Sequence, residues 1–299
     1  MDLHGDATAL DNLITDPGTA AELQKQGPVH RATSPTGMPV CLVVGYDEAT
    51  AALSDRRLSV AASHAAGALD GGKLSPDLRD ALLKSLTNSD PPDHTRLRRL
   101  VSSAFTVRQV EAMRPWIGRL IDDLIDRFEP NGRVELMDDT TLSLIGNGVY
   151  LLLTKSERAA RLRAEPGLLP AAIEEFLRLE SPVPTANFRV ALESFEIGGT
   201  RIAAGDMVLI SLQSANRDLS KFPDPAGLDP ARAQRRHLAF GHGIHFCLGA
   251  PLARIEAEQA IGTLLNRFPQ LRLAVPPAEL TWSQAMFVHR LDTLPLLLS

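Results

Sequence analysis

The chain has 299 residues, 44% hydrophobic and 22% charged, which is typical of a globular protein and excludes a disordered or fibrous one. A formal net charge of −5 argues against a nucleic-acid-binding protein, because such proteins usually present a basic face. The sequence shows no apolar run of about 18 residues and no signal-peptide pattern, so we expect a cytoplasmic protein without a membrane segment. Its two cysteines, Cys41 and Cys247, are too far apart for a paired metal or disulfide motif, which suits a reducing compartment.

The first third of the chain combines short strands and helices. The apolar run Val40–Val44 predicts a strand, and Asp47–Leu53 predicts a helix with Asp47 as its N-cap. The Pro-containing segment Asp90–Asp93 precedes another predicted helix, whose apolar residues recur at helical spacing: Leu97, Leu100, Val101 and Ala104. A longer helix is predicted from Thr106 to the Pro-Asn-Gly sequence at 130–132, and its apolar residues are Met113, Ile117, Leu120, Leu124 and Phe128.

The middle of the chain is helical and its end is mixed. Further helices are predicted over Thr140–Leu153, Ser156–Ala164, Pro170–Leu179 and Pro251–Phe268. Strands are predicted over Phe188–Ile197, Arg201–Ile210, Leu271–Val275 and Val288–Leu298, and the first two are joined through Gly198 and Gly199. This order of elements indicates an α+β fold that is mostly helical.

The strongest functional signal is the segment Phe240–Gly249, with the sequence FGHGIHFCLG. Its three glycines indicate a tightly turned backbone that can approach a flat ligand closely. Cys247 precedes a predicted helix, whose free N–H groups and dipole favour a thiolate over a thiol. A thiolate presented in this way suits the axial position of an iron porphyrin. The alternative, a buried structural cysteine beside a glycine turn, would be favoured for a lone cysteine but not within this pattern.

The segment resembles the FGxGxHxCxG haem-binding signature of the cytochrome P-450 monooxygenases, which is a highly specific motif. Glu175–Arg178, with the sequence EFLR, resembles the ExxR motif of the same family. Its i,i+3 spacing places a carboxylate and a guanidinium on one face of a helix. The resemblance implies a cytochrome P-450-like fold, haem b (iron protoporphyrin IX) as cofactor and Cys247 as the ligand of the iron. It also implies that Glu175 and Arg178 form a buried structural pair.

The segment Asp90–Phe105 resembles the helix that lies beside the haem in this family. His94 and Arg98 are four residues apart and therefore project from one helical face. The resemblance implies that His94, Arg98, Arg189 and His245 bind the haem propionates, and that Phe240, Gly241 and Gly249 belong to the cofactor-binding segment.

Two other basic residues on that helix, Arg96 and Arg99, are interpreted as solvated surface residues. The helix surface that contains these two residues could also bind an acidic electron-transfer protein.

The chain is shorter than the resemblance implies. Arg133–Asp139 resembles the sequence that precedes the substrate lid of the family, and Thr140–Leu153 resembles the second half of the long helix that crosses over the haem. We therefore expect a single haem-thiolate domain over residues 1–299 that is internally truncated. The missing part is the lid and the first half of the long helix, with the junction near residues 138–140.

Two further features concern the expected junction and the partner of the ExxR glutamate. Asp139 and Thr140 keep the acid–threonine order with which the family delivers protons, so they are the candidate catalytic residues. The alternative is that Asp139 is only the N-cap of a helix. Gly227 stands where the family usually has a basic residue that pairs with the ExxR glutamate, which leaves Glu175 and Arg178 to each other or to a nearby arginine.

The resemblance leaves two functions open. The first is a haem monooxygenase that inserts one oxygen atom from dioxygen into an apolar small molecule such as a natural-product intermediate. It would need a ferredoxin and a ferredoxin reductase as electron donors, because the chain has no flavin or iron–sulfur motif. The alternative is a catalytically impaired or inactive haem-binding accessory protein that partners another enzyme through an exposed apolar seam.

Overall fold

The computed structural model describes residues 16–33, 38–61, 85–127, 132–137, 143–232, 236–283 and 287–298. Its α-helices are α1 (Pro17–Gln26), α2 (Tyr46–Ser54), α3 (Asp93–Ser102), α4 (Val107–Asp126), α5 (Ser143–Leu153), α6 (Ser156–Ala164), α7 (Leu169–Leu179), α8 (Leu212–Ala215) and α9 (Ala250–Arg267). Its strands are β1 (Val29–Thr33), β2 (Pro39–Val43), β3 (Leu58–Ser59), β4 (Arg133–Glu135), β5 (Arg189–Ala191), β6 (Phe195–Ile197), β7 (Thr200–Ile202), β8 (Met207–Ile210), β9 (Arg272–Leu273) and β10 (Pro295–Leu297).

The chain divides into two compact units, and each unit combines segments that are distant in sequence. The first contains Met1–Ala104, Val183–Pro225 and Phe240–Cys247. The second contains Phe105–Pro182, Ala226–Ala239 and Leu248–Ser299. No helix in the described part of the chain is both long and apolar enough to cross a bilayer.

The first unit is built on a five-stranded sheet with the order β1-β2-β8-β5-β3. The central strands β2 and β8 run parallel, with Leu42 opposite Leu209, and both of these side chains are fully buried. Strand β2 confirms the predicted strand Val40–Val44 to within one residue, because a central strand covered on both faces reads as a continuous apolar run. The predicted strands Phe188–Ile197 and Arg201–Ile210 are wrong as single elements, because the first divides into β5 and β6 and the second into β7 and β8. A second, two-stranded sheet pairs β6 with β7 through Gly198 and Gly199, whose φ angles of +54° and +76° suit a tight hairpin.

The second unit is a bundle in which α9 packs against α4, α5 and α7, beside a three-stranded sheet with the order β4-β10-β9. Gly148 of α5 allows a close approach of the neighbouring helices. A Cβ atom at this position would lie 2.9 Å from the Phe176 ring and 3.0 Å from Cδ1 of Ile261. Both of those side chains are completely buried, so this contact lies in the core of the unit.

Most predicted elements are present, with shifted or shorter bounds. Helix α6 matches its prediction at both ends, whereas the C-terminal strand prediction Val288–Leu298 shrinks to Pro295–Leu297. The prediction that Asp47 caps α2 is wrong, because the helix begins at Tyr46 and Gly45 is its N-cap.

The apolar spacing of two helices does not mark their buried faces. In α3, Leu100 and Val101 are 64% and 39% exposed, and His94 is the buried residue of this helix. In α4, the N-cap Thr106 accepts a hydrogen bond from the Gln109 N–H as expected. The predicted stripe of α4 is nevertheless exposed at Met113, Leu120 and Leu124, and the buried residues are Val110, Ile117, Ile121 and Ile125.

Candidate haem site

Cys247 lies at the end of a tightly folded loop in the first unit. Gly241 and Gly243 both have a φ of +72°, a conformation that other residues rarely adopt. The turn between them and the cysteine is closed by the Cys247 N–H, which donates to the carbonyl of Phe240 at 2.8 Å. Cys247 is a free, exposed cysteine, and α9 begins three residues after it. The loop therefore presents the sulfur at an accessible position, as the prediction of an iron ligand requires.

Gly243 also allows the loop to pack closely on α2. A Cβ atom at this position would lie 2.8 Å from Oγ of Ser54 and 3.1 Å from the carbonyl oxygen of Leu53. Gly249 is different, since it is the N-cap of α9 with a φ of −80° that any residue can adopt. Phe240 is half-buried, and its ring makes an edge contact with Phe246 at a centroid distance of 6.3 Å.

Three of the four predicted propionate ligands are brought together in the same unit. The rings of His94 and His245 contact each other with a centroid distance of 4.2 Å. His94 and Arg189 are only 3% and 4% exposed. Among the described residues, Nε2 of His94 and Nε of Arg189 are buried without a hydrogen-bond partner. An unsatisfied buried polar group costs about 1–3 kcal/mol, so these two atoms fit a site whose ligand supplies the acceptors.

The pKa values of the three residues in this cluster are all lowered. Burial, assisted by the charges of His94 and Arg189, lowers the pKa of His245 to about 4. Burial also lowers the pKa of His94, with a contribution from Arg98. The pKa of Arg189 falls to about 10 through burial, which outweighs the nearby carboxylates of Asp90 and Asp55. In all three groups burial disfavours the protonated form, and an anion placed among them, such as a haem propionate, would favour that form again.

Arg98 is half-buried, makes no ion pair within the described part of the chain, and lies close enough for its charge to lower the pKa of both His94 and His245. Its neighbours on α3 behave as solvated residues. Arg96 is exposed and lies 3.7 Å from the exposed Asp93, and Arg99 is exposed as well.

The ExxR pair forms in the second unit and has a third member. Arg178 donates to Glu175 twice, from Nε at 2.7 Å and from Nη2 at 2.9 Å, and both side chains are buried. Arg232, also buried, donates from Nε to Oε2 of Glu175 at 3.2 Å. The carbonyl of Gly227 accepts from both guanidinium groups, at 2.8 Å and 3.0 Å. Burial raises the pKa of Glu175, but the hydrogen bonds and charge of Arg178 outweigh it, so the pKa is lowered.

Arg232 thus provides the basic partner of Glu175 that Gly227, which has no side chain, cannot provide. Of the two alternatives open from the sequence, the nearby arginine is the one that the structure contains. Sequence analysis did not single out this residue, although the locally basic stretch from Arg232 to His237 was a signal for it.

Asp139, Thr140 and the expected junction at 138–140 lie outside the described residues, so the catalytic assignment stays a prediction.

Comparison with known proteins finds relatives that align with most of the chain. The family model for cytochrome P-450 matches residues 138–288. The cytochrome P-450 monooxygenase PikC of Streptomyces venezuelae is 34% identical, over 93% of this chain and 90% of the relative. The 6-deoxyerythronolide B hydroxylase of Saccharopolyspora erythraea is 32% identical, over 93% of this chain and 94% of the relative. Among solved structures, the tirandamycin C-bound monooxygenase TamI has a TM-score of 0.85 at 33% identity, covering 97% of this chain and 99% of its own.

The chain belongs to the cytochrome P-450 family. It is a monooxygenase whose cofactor is haem b. It is also an internally shortened member. The alignment with PikC extends over 379 positions and this chain has only 299 residues, so at least 80 positions of the alignment have no residue here.

Proposed function

We propose that this haem monooxygenase inserts one oxygen atom from dioxygen into an apolar small molecule of the natural-product type. The observation that carries the proposal is the pair of buried nitrogen atoms, Nε2 of His94 and Nε of Arg189, which have no hydrogen-bond partner among the described residues and lie in the same unit as the exposed Cys247. The relatives PikC and 6-deoxyerythronolide B hydroxylase and the tirandamycin-bound TamI support the class of substrate.

Each residue of the site has a distinct role in this proposal. Cys247 is the thiolate ligand of the iron. Bound haem supplies the oxygen-activating chemistry, and the thiolate favours cleavage of the O–O bond. The propionates are held by charge-assisted hydrogen bonds from His94, Arg98, Arg189 and His245. The backbone of Phe240, Gly241 and Gly249 shapes the segment that faces the porphyrin.

Other residues support or complete this site. Glu175 and Arg178 hold the second unit together as a buried pair. Asp139 and Thr140 are together assigned the delivery of protons to the active site. Truncation of the lid weakens the exclusion of water, so we expect slow or poorly coupled turnover.

Electrons are proposed to come from a ferredoxin and its reductase in the cytoplasm. The exposed Arg96 and Arg99 on α3 provide positive charge for an acidic donor protein. The alternative, a haem-binding accessory protein, is not favoured, because the relatives that align over more than nine tenths of the chain are named as monooxygenases and hydroxylases.

The test is turnover with isotopically labelled dioxygen. The purified protein, with a surrogate ferredoxin and reductase, is incubated with a panel of apolar macrolactones, and products are analysed by mass spectrometry. The proposal predicts one labelled oxygen atom in a product. Electron consumption that yields only peroxide or water across the panel, from a protein with fully bound haem, would contradict it.

A further inference from the structure

A second polar cluster in the second unit surrounds Glu174, the residue that precedes the ExxR glutamate. Arg254 of α9 donates to this carboxylate twice, from Nε to Oε1 at 2.7 Å and from Nη2 to Oε2 at 2.8 Å. The side chain of His237 contacts the same carboxylate, with 3.1 Å between Nε2 and Oε2. One carboxylate on α7 therefore joins two residues that are 17 positions apart in the sequence.

The hydrogen bonds of His237 determine which nitrogen carries its proton. The N–H of Ala239 donates to Nδ1 at 3.2 Å, so Nδ1 is the acceptor and Nε2 carries the hydrogen. The His237 side chain is only 4% exposed. The imidazole thus connects the Glu174 carboxylate to the backbone at Ala239, one residue before the glycine-rich loop begins at Phe240.

The Glu174 carboxylate is held in its charged form. Burial raises its pKa, but the hydrogen bonds from Arg254 and His237 outweigh this effect and lower the pKa to about 2. A bidentate guanidinium–carboxylate pair is geometrically specific and stronger than a neutral hydrogen bond. The carboxylate is therefore charged at neutral pH, as the pair with Arg254 requires.

His237 and Arg254, the two partners of Glu174, lie on either side of Cys247 in the sequence. His237 lies ten residues before Cys247, and Arg254 lies seven residues after it. Both ends of the segment 238–253, which contains the whole glycine-rich loop, are tied to one carboxylate. We infer that Glu174 is a positioning residue, which fixes both ends of this segment and thereby holds the Cys247 sulfur in place. This inference rests on the proposed role of Cys247 as iron ligand.

The first test is hydrogen–deuterium exchange on the full chain as purified, comparing wild type with Glu174→Gln. The amide variant keeps the size of the side chain and loses the charge. We expect amides in peptides covering 238–249 to exchange about tenfold faster, as weakening of one charge-assisted hydrogen bond predicts.

Glu258→Gln is the matched control, because Glu258 is also on α9 and pairs with Arg114 of α4 at 3.0 Å. It should leave exchange in 238–249 unchanged. Arg254→Gln is a second variant, which releases only the C-terminal end of the segment. It keeps the test valid if Glu174→Gln does not fold.

The second test is the absorption spectrum of the reduced protein under carbon monoxide. Looser positioning of Cys247 predicts that Glu174→Gln converts from the thiolate-type to the thiol-type Soret band several-fold faster than wild type, while Glu258→Gln does not. A merely structural loss of stability would not favour one band over the other in the folded fraction.

The two tests separate the inference from the proposed function. Unchanged exchange in 238–249 in both folded variants, or equal acceleration in the Glu258→Gln control, would overturn the inference. Failure to bind haem would overturn the proposed function, and the exchange result would still decide whether Glu174 fixes the segment.

Discussion

Individual buried side chains in the first unit are the structural evidence for a bound cofactor. Burying cationic and neutral imidazole donors without acceptors destabilises a protein, so such a cluster is maintained only where a ligand compensates. Among the described residues, Nε2 of His94 and Nε of Arg189 form this kind of cluster, and burial beside them lowers the pKa of His245.

The lowered pKa of His245 predicts how the free energy of unfolding depends on pH in the haem-free protein. The pKa of His245 is about 4 in the folded state, against an ordinary value of 6.5. Between these values the unfolded state binds more protons, so the free energy of unfolding falls as the pH falls from 6.5 towards 4. Urea denaturation at pH 7 and pH 5 measures the effect. His245→Gln should show a smaller loss between the two pH values, and an identical loss would contradict the prediction.

Arg232 is predicted to be essential to the core of the second unit. Arg232→Ala removes one donor to the buried Glu175, which stays paired with Arg178, and should destabilise the protein by about 1.5–3 kcal/mol through the loss of a hydrogen bond to a charged group. Arg161→Ala is the control, since Arg161 is half exposed and lies 3.9 Å from Glu165, a surface pair worth about 0–1 kcal/mol. Thermal unfolding compares the two, and equal shifts would show that Arg232 is dispensable.

At the scale of elements, α4 shows that apolar spacing alone does not identify a buried face. Its apolar residues cover more than one face, and the face against α9 contains Ile117 and Ile121. Spacing could not choose between this face and the exposed one that contains Leu120, because both repeat with the helical period. The choice depends on the position of α9, which is more than 120 residues away in the sequence.

The two faces of α4 should respond differently to truncation. Ile117 is 3% exposed, so Ile117→Ala should cost about 2–5 kcal/mol through lost burial and a cavity. Leu120 is 43% exposed, so Leu120→Ala should change stability by no more than about 0.5 kcal/mol. Chemical denaturation of both variants measures this difference, and comparable losses would mean that the exposed face is buried in solution.

At the scale of the molecule, the sequence indicated the family and the cofactor because the glycine-rich segment is contiguous. It indicated the internal truncation because the chain is shorter than the family resemblance implies. The central strand β2 was also predictable, since its apolar run is local. The partners Arg232 and Arg254 were not predictable, because they reach Glu175 and Glu174 from 57 and 80 residues away. No periodic pattern in a single sequence encodes such contacts between segments.

The central claim is that Cys247 provides the thiolate ligand of a bound haem. The most direct measurement is the absorption spectrum of the reduced protein under carbon monoxide, for wild type, Cys247→Ser and Cys41→Ala. Cys41 is the other cysteine and is buried in β2, so its replacement controls for the loss of any thiol. The account predicts the Soret band of thiolate-ligated ferrous haem in wild type and Cys41→Ala and its loss in Cys247→Ser. The same band in Cys247→Ser, or a wild-type protein that folds without haem, would contradict it.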